Sequence, residues 1–422
     1  MRRCALAPVL VAALVLAGCG GGDAPSPSSD RSAPASSEPT VDPDTPTGWG
    51  PTEGELAAAT ELVAGWDSEQ LAGQLIVGRY AGTDPQVPAR LVREHHLAGI
   101  QVTSSSIVSR DQLLATTRAV SKAVAASGRD FPAVIGVDQE GGVVSHLDGI
   151  ATSFPSFATA GAAVEASGKE GQEAVRGAAA ATALELRELG FTWVFAPVAD
   201  VTIGAADPTI GSRSPSTDPE VAARTVSAAV EGYDDGAIVS TVKHFPGHGS
   251  ATADSHLTLP RIEASMKVLA ARDLVPFEAA VAAHAPAVMV GHLDVPALRA
   301  GVPSSLARPT YDFLREQVGF EGVAITDSLG MGAVVATTKP AVTAIRAGAD
   351  LLLMPADTAR AAETVTAAIE SGEIPRRRAE EAAARVVALQ MWQERVAGKA
   401  PVPADVASRA QEAAARLSDA AY

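Results

Sequence analysis

The sequence predicts an α/β protein built on a single (β/α)8, TIM-like barrel. Three observations carry that expectation. Short apolar runs recur at 74–77, 99–102, 133–137, 192–195, 237–239, 287–290, 323–325 and 350–354, eight in all. They are continuous rather than alternating in hydrophobicity, which suits parallel strands covered on their outer face. Ala-rich stretches of helical periodicity lie between them, and strands alternating with helices indicate βα units.

After strands one and two, a helical pattern covers 111–127. Strand three, 133–137, is followed by Asp138 and then by a helix at 170–189. Strand four, 192–195, gives way to Asp200 and a helix at 219–233. Strand five, 237–239, leads into Lys243 and His244, with a helix at 266–283. His292 and Asp294 follow strand six, and Asp327 follows strand seven. Polar residues converging from the carboxyl ends of many strands are what a closed barrel offers. A doubly wound open sheet, the competing architecture, would gather them at one switch point. After strand eight, two helices fill 359–396. The remaining tail, 397–422, is too short to make a second domain that supplies a catalytic group.

The amino terminus speaks to compartment. Arg2 and Arg3 precede an apolar segment from Ala5 to Ala17, shaped like the core of a signal peptide and too short to span a bilayer. It ends in Leu16-Ala17-Gly18-Cys19, which resembles the bacterial lipobox; a plain secretory signal is the alternative. Residues 1–18 then read as a lipoprotein signal peptide. Cys19 becomes the lipidated first residue, held at the outer face of a membrane by about 0.8 kcal/mol per buried methylene. Cys4 is lost with the signal, so the mature chain has no disulfide. Residues 19–52 are Ser, Pro, Thr, Gly and acid, and read as a disordered tether. The barrel domain is expected over 53–396. A formal charge of −16 argues against a nucleic-acid partner.

The chemistry concentrates in one segment. Lys243-His244-Phe245-Pro246-Gly247-His248-Gly249 is followed by Asp254-Ser255-His256. Asp254 and His256 stand close enough for the carboxylate to orient the imidazole for proton transfer. His244, His248 and His256 can also be read as metal ligands, but they lack helical-pair spacing and no thiolate accompanies them. His248 reads as a structural loop histidine. Asp327 stands where an apolar strand meets a loop of small residues; such an aspartate also commonly caps a following helix.

Four motifs, taken together, resemble glycoside hydrolase family 3. They are Asp138-Gln139-Glu140-Gly141-Gly142, the segment Lys243 to Gly249, Asp254-Ser255-His256, and Thr326-Asp327-Ser328-Leu329-Gly330-Met331. The order and the Asp254-x-His256 pair are similar to its single-domain bacterial β-N-acetylglucosaminidase branch, of lipoprotein type. The resemblance implies Asp327 as the nucleophile of a retaining reaction and His256, paired with Asp254, as the general acid/base. It implies Asp138, Arg213, Lys243 and His244 as sugar-binding residues. Val143 and Pro215 depart from the family pattern, at places that commonly hold arginine and an aromatic residue.

Retaining hydrolysis needs a nucleophile on one side of the anomeric carbon and a proton donor on the other. With no second domain, the donor must lie on the barrel itself. The implied substrates are GlcNAc-containing cell-wall saccharides, with no cofactor and no metal. Phosphorolysis, a family 3 β-glucosidase or β-xylosidase, and a non-catalytic glycan-binding lipoprotein are the alternatives. The intact Asp327, Asp254 and His256 argue against the last of these.

Overall fold

Eight parallel strands wind into a closed barrel. They are β1 (Ile76–Gly78), β2 (Gly99–Gln101), β3 (Val134–Val137), β4 (Trp193–Val194), β5 (Val239–Phe245), β6 (Ala287–Val290), β7 (Val323–Thr326) and β8 (Leu352–Leu353). Neighbours pair in sequence order, and β8 returns to β1 through Ile76↔Leu352 and Val77↔Leu353. A parallel bridge between Ile325 and Leu351 joins β7 to the start of β8, so the ring has no free edge. The structure, a computed structural model, describes residues 42–422 apart from Pro208. The signal segment, Cys19 and most of the expected tether therefore lie outside the described residues.

All eight strands fall on the predicted runs, but β5 differs in extent. It begins at Val239 and continues through Lys243 and His244 to Phe245. Polar side chains at 243 and 244 suggested a loop, yet the backbone there is still paired. The Lys243 N–H donates to the Pro197 carbonyl at 3.1 Å, and Phe245 stands opposite Val290. A strand can end in charged residues when their side chains meet partners at the barrel mouth.

The helix expected over 266–283 is interrupted. A short helical turn, Met266–Val268, runs into a π-helical turn, Leu269–Asp273, and a fresh helix, Val275–Ala282. Pro276 has no N–H to give and its ring crowds the carbonyl four residues back, so the ladder widens there.

The tether boundary is also corrected. Residues 42–52 pack onto the barrel: Trp49 is only 3% exposed, Pro46 and Thr52 form a bridge, and His284 Nδ1 donates to the Gly48 carbonyl at 3.0 Å. Thr52 caps the helix Glu53–Ala64 in a capping box with Glu55. Trp49 offsets the ordering of this Pro-rich stretch by removing a large apolar ring from water.

Helix Arg376–Lys399 crosses the amino-terminal end of the barrel. From it Gln390 donates to the Pro132 carbonyl, Gln393 to that of Ala237 and Arg378 to that of Ala349, all just ahead of strands. Asp350, fully buried at the start of β8, takes Arg315 at 2.6 Å, Arg378 at 2.7 Å and the Ala324 N–H at 3.0 Å. The tail left undecided by sequence forms a helix, Val406–Ala420, packed on helices Phe157–Ser167 and Lys169–Glu188. The amino-terminal end that helix Arg376–Lys399 crosses is built for stability, which leaves the opposite face for chemistry.

Candidate active site

The carboxyl ends of the strands surround a pocket of about 500 Å³. Asp138, Glu140, Arg213, Lys243, His244, His248, Ser255, His256 and Asp327 all line it. Six of the seven predicted site residues thus share one cavity. The seventh, Asp254, reaches it through His256.

Asp138 and Glu140 lie two residues apart on an extended segment, so they point the same way. Lys243, at the end of β5, is 2% exposed and places Nζ 2.6 Å from Asp138 Oδ1 and 2.6 Å from Glu140 Oε1. Arg213 grips Glu140 with both Nε, at 2.8 Å, and Nη2, at 2.9 Å. Burial would raise the Glu140 carboxyl, but Lys243 and Arg213 outweigh it and hold the group well below the usual carboxylate range. Burial likewise works to lower Lys243, and the two carboxylates reverse this and push it up. Glu140, Arg213 and Lys243 are therefore fixed as ions at neutral pH. Glu140 is consumed by the two cations. Asp138, more exposed, keeps lone pairs for a ligand hydroxyl while Gln101 and Lys243 fix its plane.

Hairpin strands Gln139–Gly141 and Val144–Ser145 carry Glu140, and their turn uses Gly141 at φ 87° and Gly142 at φ 58°. Those angles favour glycine. Val143, at the tip, is 77% exposed on the pocket rim.

His244 is held from below. Its Nδ1 donates to Asp200 Oδ2 at 2.7 Å, leaving Nε2 to accept from Arg213 Nη2 at 3.4 Å. Asp200 is fully buried beyond β4 and also takes the N–H groups of His244 and His248. Burial opposes its charge, yet His244 and the donated hydrogen bonds of this loop hold its carboxyl low.

Asp327 sits on the first residue after β7, where its N–H still donates to the Val290 carbonyl. Its Oδ1 accepts the Ser328 N–H at 2.7 Å, and it is 9% exposed. It caps no helix. Burial alone would raise its carboxyl; His292, His244, the Ser328 N–H and Lys243 together bring it below the ordinary aspartate value. His292 is itself buried between Ser305 and the Ser328 carbonyl, and burial pushes it towards the neutral form. It supports the Asp327 loop from behind, and Asp294 is engaged with Arg261 at 2.8 Å. Neither of the two lines the pocket.

His256 and Asp254 stand on the long loop after β5. Asp254 Oδ1 takes both the His256 N–H, at 2.9 Å, and Nδ1, at 2.7 Å, which leaves Nε2 free to exchange a proton. The pair is open to solvent, with side-chain exposures of 63% for His256 and 39% for Asp254. Its loop docks on the loop after β7: the Gly332 N–H donates to the His256 carbonyl at 3.1 Å and that of Ala333 to the Ser255 carbonyl at 3.3 Å. The three histidines read as possible metal ligands have separate partners: Asp200, Ser255 and Asp254.

Sequence reasoning missed two members. Glu140 stood inside a quoted motif without a role; its i, i+2 relation to Asp138 was the available signal. Asp200 was noted only as a polar residue after strand four, and its partnership with His244, 44 positions away, leaves no local mark.

A closed parallel barrel with a buried carboxylate, an ion-paired polar floor and an imidazole–carboxylate pair at its mouth is built to cleave glycosides. The profile of the Glycosyl hydrolase family 3 N terminal domain matches residues 69–389. The chain belongs to glycoside hydrolase family 3 and is a glycoside hydrolase. It is 30% identical to Beta-hexosaminidase LpqI of Mycobacterium tuberculosis, over 91% of this chain and 96% of that protein. It is 31% identical to Beta-hexosaminidase A of Pseudoalteromonas piscicida, covering 65% of this chain and spanning about half, 48%, of that longer relative. Among solved structures, a family 3 β-N-acetylglucosaminidase from Paenibacillus sp. superposes with a TM-score of 0.77 at 32% identity, covering 84% of this chain and 68% of the other. The M. tuberculosis LpqI structure gives 0.70 at 28% identity, with coverage of 79% and 96%.

Proposed function

We propose that this protein is a retaining β-N-acetylglucosaminidase that removes non-reducing terminal GlcNAc from peptidoglycan fragments. One observation carries the reading: the Asp254–His256 loop is docked by backbone hydrogen bonds onto the loop that follows Asp327, at one pocket. In the first half-reaction an Asp327 oxygen attacks C1 as the glycosidic C–O bond breaks, and His256 Nε2 gives its proton to the departing oxygen. In the second, His256 takes a proton from water as that water attacks C1 and frees Asp327. Asp138, Lys243, His244 and Arg213 hold the hydroxyl and acetamido groups of the sugar. The names of the relatives, hexosaminidases and an N-acetylglucosaminidase, favour an N-acetylated sugar.

A panel of nitrophenyl β-glycosides, assayed with and without phosphate and read by product mass, tests the substrate and the acceptor. The GlcNAc glycoside is expected to turn over and to give free GlcNAc. Preference for the glucoside or xyloside would redirect the sugar specificity, and GlcNAc 1-phosphate as the main product would make the enzyme a phosphorylase.

We also propose that Cys19 anchors the protein to the outer face of the cell membrane, as the Leu16-Ala17-Gly18-Cys19 tetrad suggests. Among the described residues no helix is long and apolar enough to cross a membrane. Cys19→Ala is expected to move the protein into the soluble fraction with activity on small glycosides retained. Unchanged membrane fractionation would remove the lipid anchor.

A further inference from the structure

The loop bearing Asp254 and His256 is fastened at its centre. Ser255 is 3% exposed between those two open neighbours, and its Oγ lies 3.1 Å from His248 Nε2. His248 is 1% exposed, and among the described residues its Nδ1 has no hydrogen-bond partner. A buried N–H without an acceptor is rarer than an unmet lone pair, so the proton belongs on Nε2 and is donated to Ser255. Burial also favours the neutral ring. The backbone N–H of His248 is fixed to Asp200 Oδ1 at 2.7 Å, and the other oxygen of Asp200 holds the His244 ring. A continuous chain therefore runs His244, Asp200, His248, Ser255 and ends between Asp254 and His256.

We propose that His248 and Ser255 form a latch that positions the Asp254–His256 pair over the pocket and ties it to the His244 side of the sugar site. This rests on the reading of His256 as proton donor. Both are positioning residues: neither transfers a proton to substrate, and each acts through the place it gives His256. A small misplacement of a general acid costs much when the leaving oxygen is basic and little when it departs unaided.

The test is the dependence of kcat/KM on leaving group across aryl β-GlcNAc glycosides and chitobiose, with His256→Ala run in parallel. Ser255→Ala and His248→Ala are each expected to lose about tenfold or more on chitobiose, with about twofold or less on the dinitrophenyl glycoside, where proton donation contributes least. His248→Gln, whose amide nitrogen can replace Nε2 as donor, should recover most of that loss. If His256→Ala shows the leaving-group dependence while Ser255→Ala and His248→Ala slow all substrates equally or none, the latch is refuted on its own. If His256→Ala itself shows no dependence, the proton-donor assignment falls and the latch with it.

Discussion

Asp327→Ala is expected to lower kcat by about four to six orders of magnitude, the scale seen when a covalent nucleophile is deleted. Among the described residues its carboxylate is the one acid in the pocket that is buried, ionised and free of a cation in direct contact. In the proposed mechanism its removal deletes the atom that bonds C1 and leaves only binding and proton donation. The fold should survive, because the carboxylate's hydrogen bond from the Ser328 N–H can pass to water in an opened pocket. Thermal unfolding of the variant checks this. A 5-fluoro GlcNAc glycoside gives an independent reading: peptide mass spectrometry should find one sugar mass on the peptide containing Asp327. Turnover near that of the wild type, or a label on another residue, would relocate the nucleophile.

His256→Ala should separate substrates by leaving group. General acid catalysis contributes about 10² to 10⁴-fold, and nearly all of it is needed when the departing oxygen is a sugar hydroxyl. A nitrophenolate leaves almost unaided. Losses near the upper part of that range are expected on chitobiose, with little change on dinitrophenyl glycosides. Asp254→Asn should give a weaker version, since the ring remains but loses the carboxylate that receives Nδ1–H and fixes the tautomer. Equal losses on both substrates, with glycosylation rate-limiting, would assign His256 to sugar binding.

The barrel was legible because its strands are buried on both faces and so appear as unbroken apolar runs. What composition hid was local. Residues 42–52 are rich in Pro and Thr and looked unfoldable, yet Trp49 was a large apolar group with somewhere to go. Lys243 and His244 read as loop residues because sequence shows their charge and not the carboxylates that receive it. Asp327, the Asp254–His256 pair and the cluster of Asp138, Arg213, Lys243 and His244 could be singled out from motifs, and the fold gathers them at one pocket. Their support could not: Asp200 under His244, and Glu140 between Lys243 and Arg213, are set by which strands the closed ring brings side by side.

The contrast between the sunken Asp327 and the open His256 bears on how the second half of the cycle chooses its reactant. A glycosyl ester on Asp327 would be shielded from beneath and approachable only from the mouth. There His256, the proposed base, stands at the pocket rim with its side chain 63% exposed. The ester's fate then becomes a competition governed by concentration and size at the rim. The rim side chain at position 143 is an uncharged valine. It neither repels an anion nor recruits one.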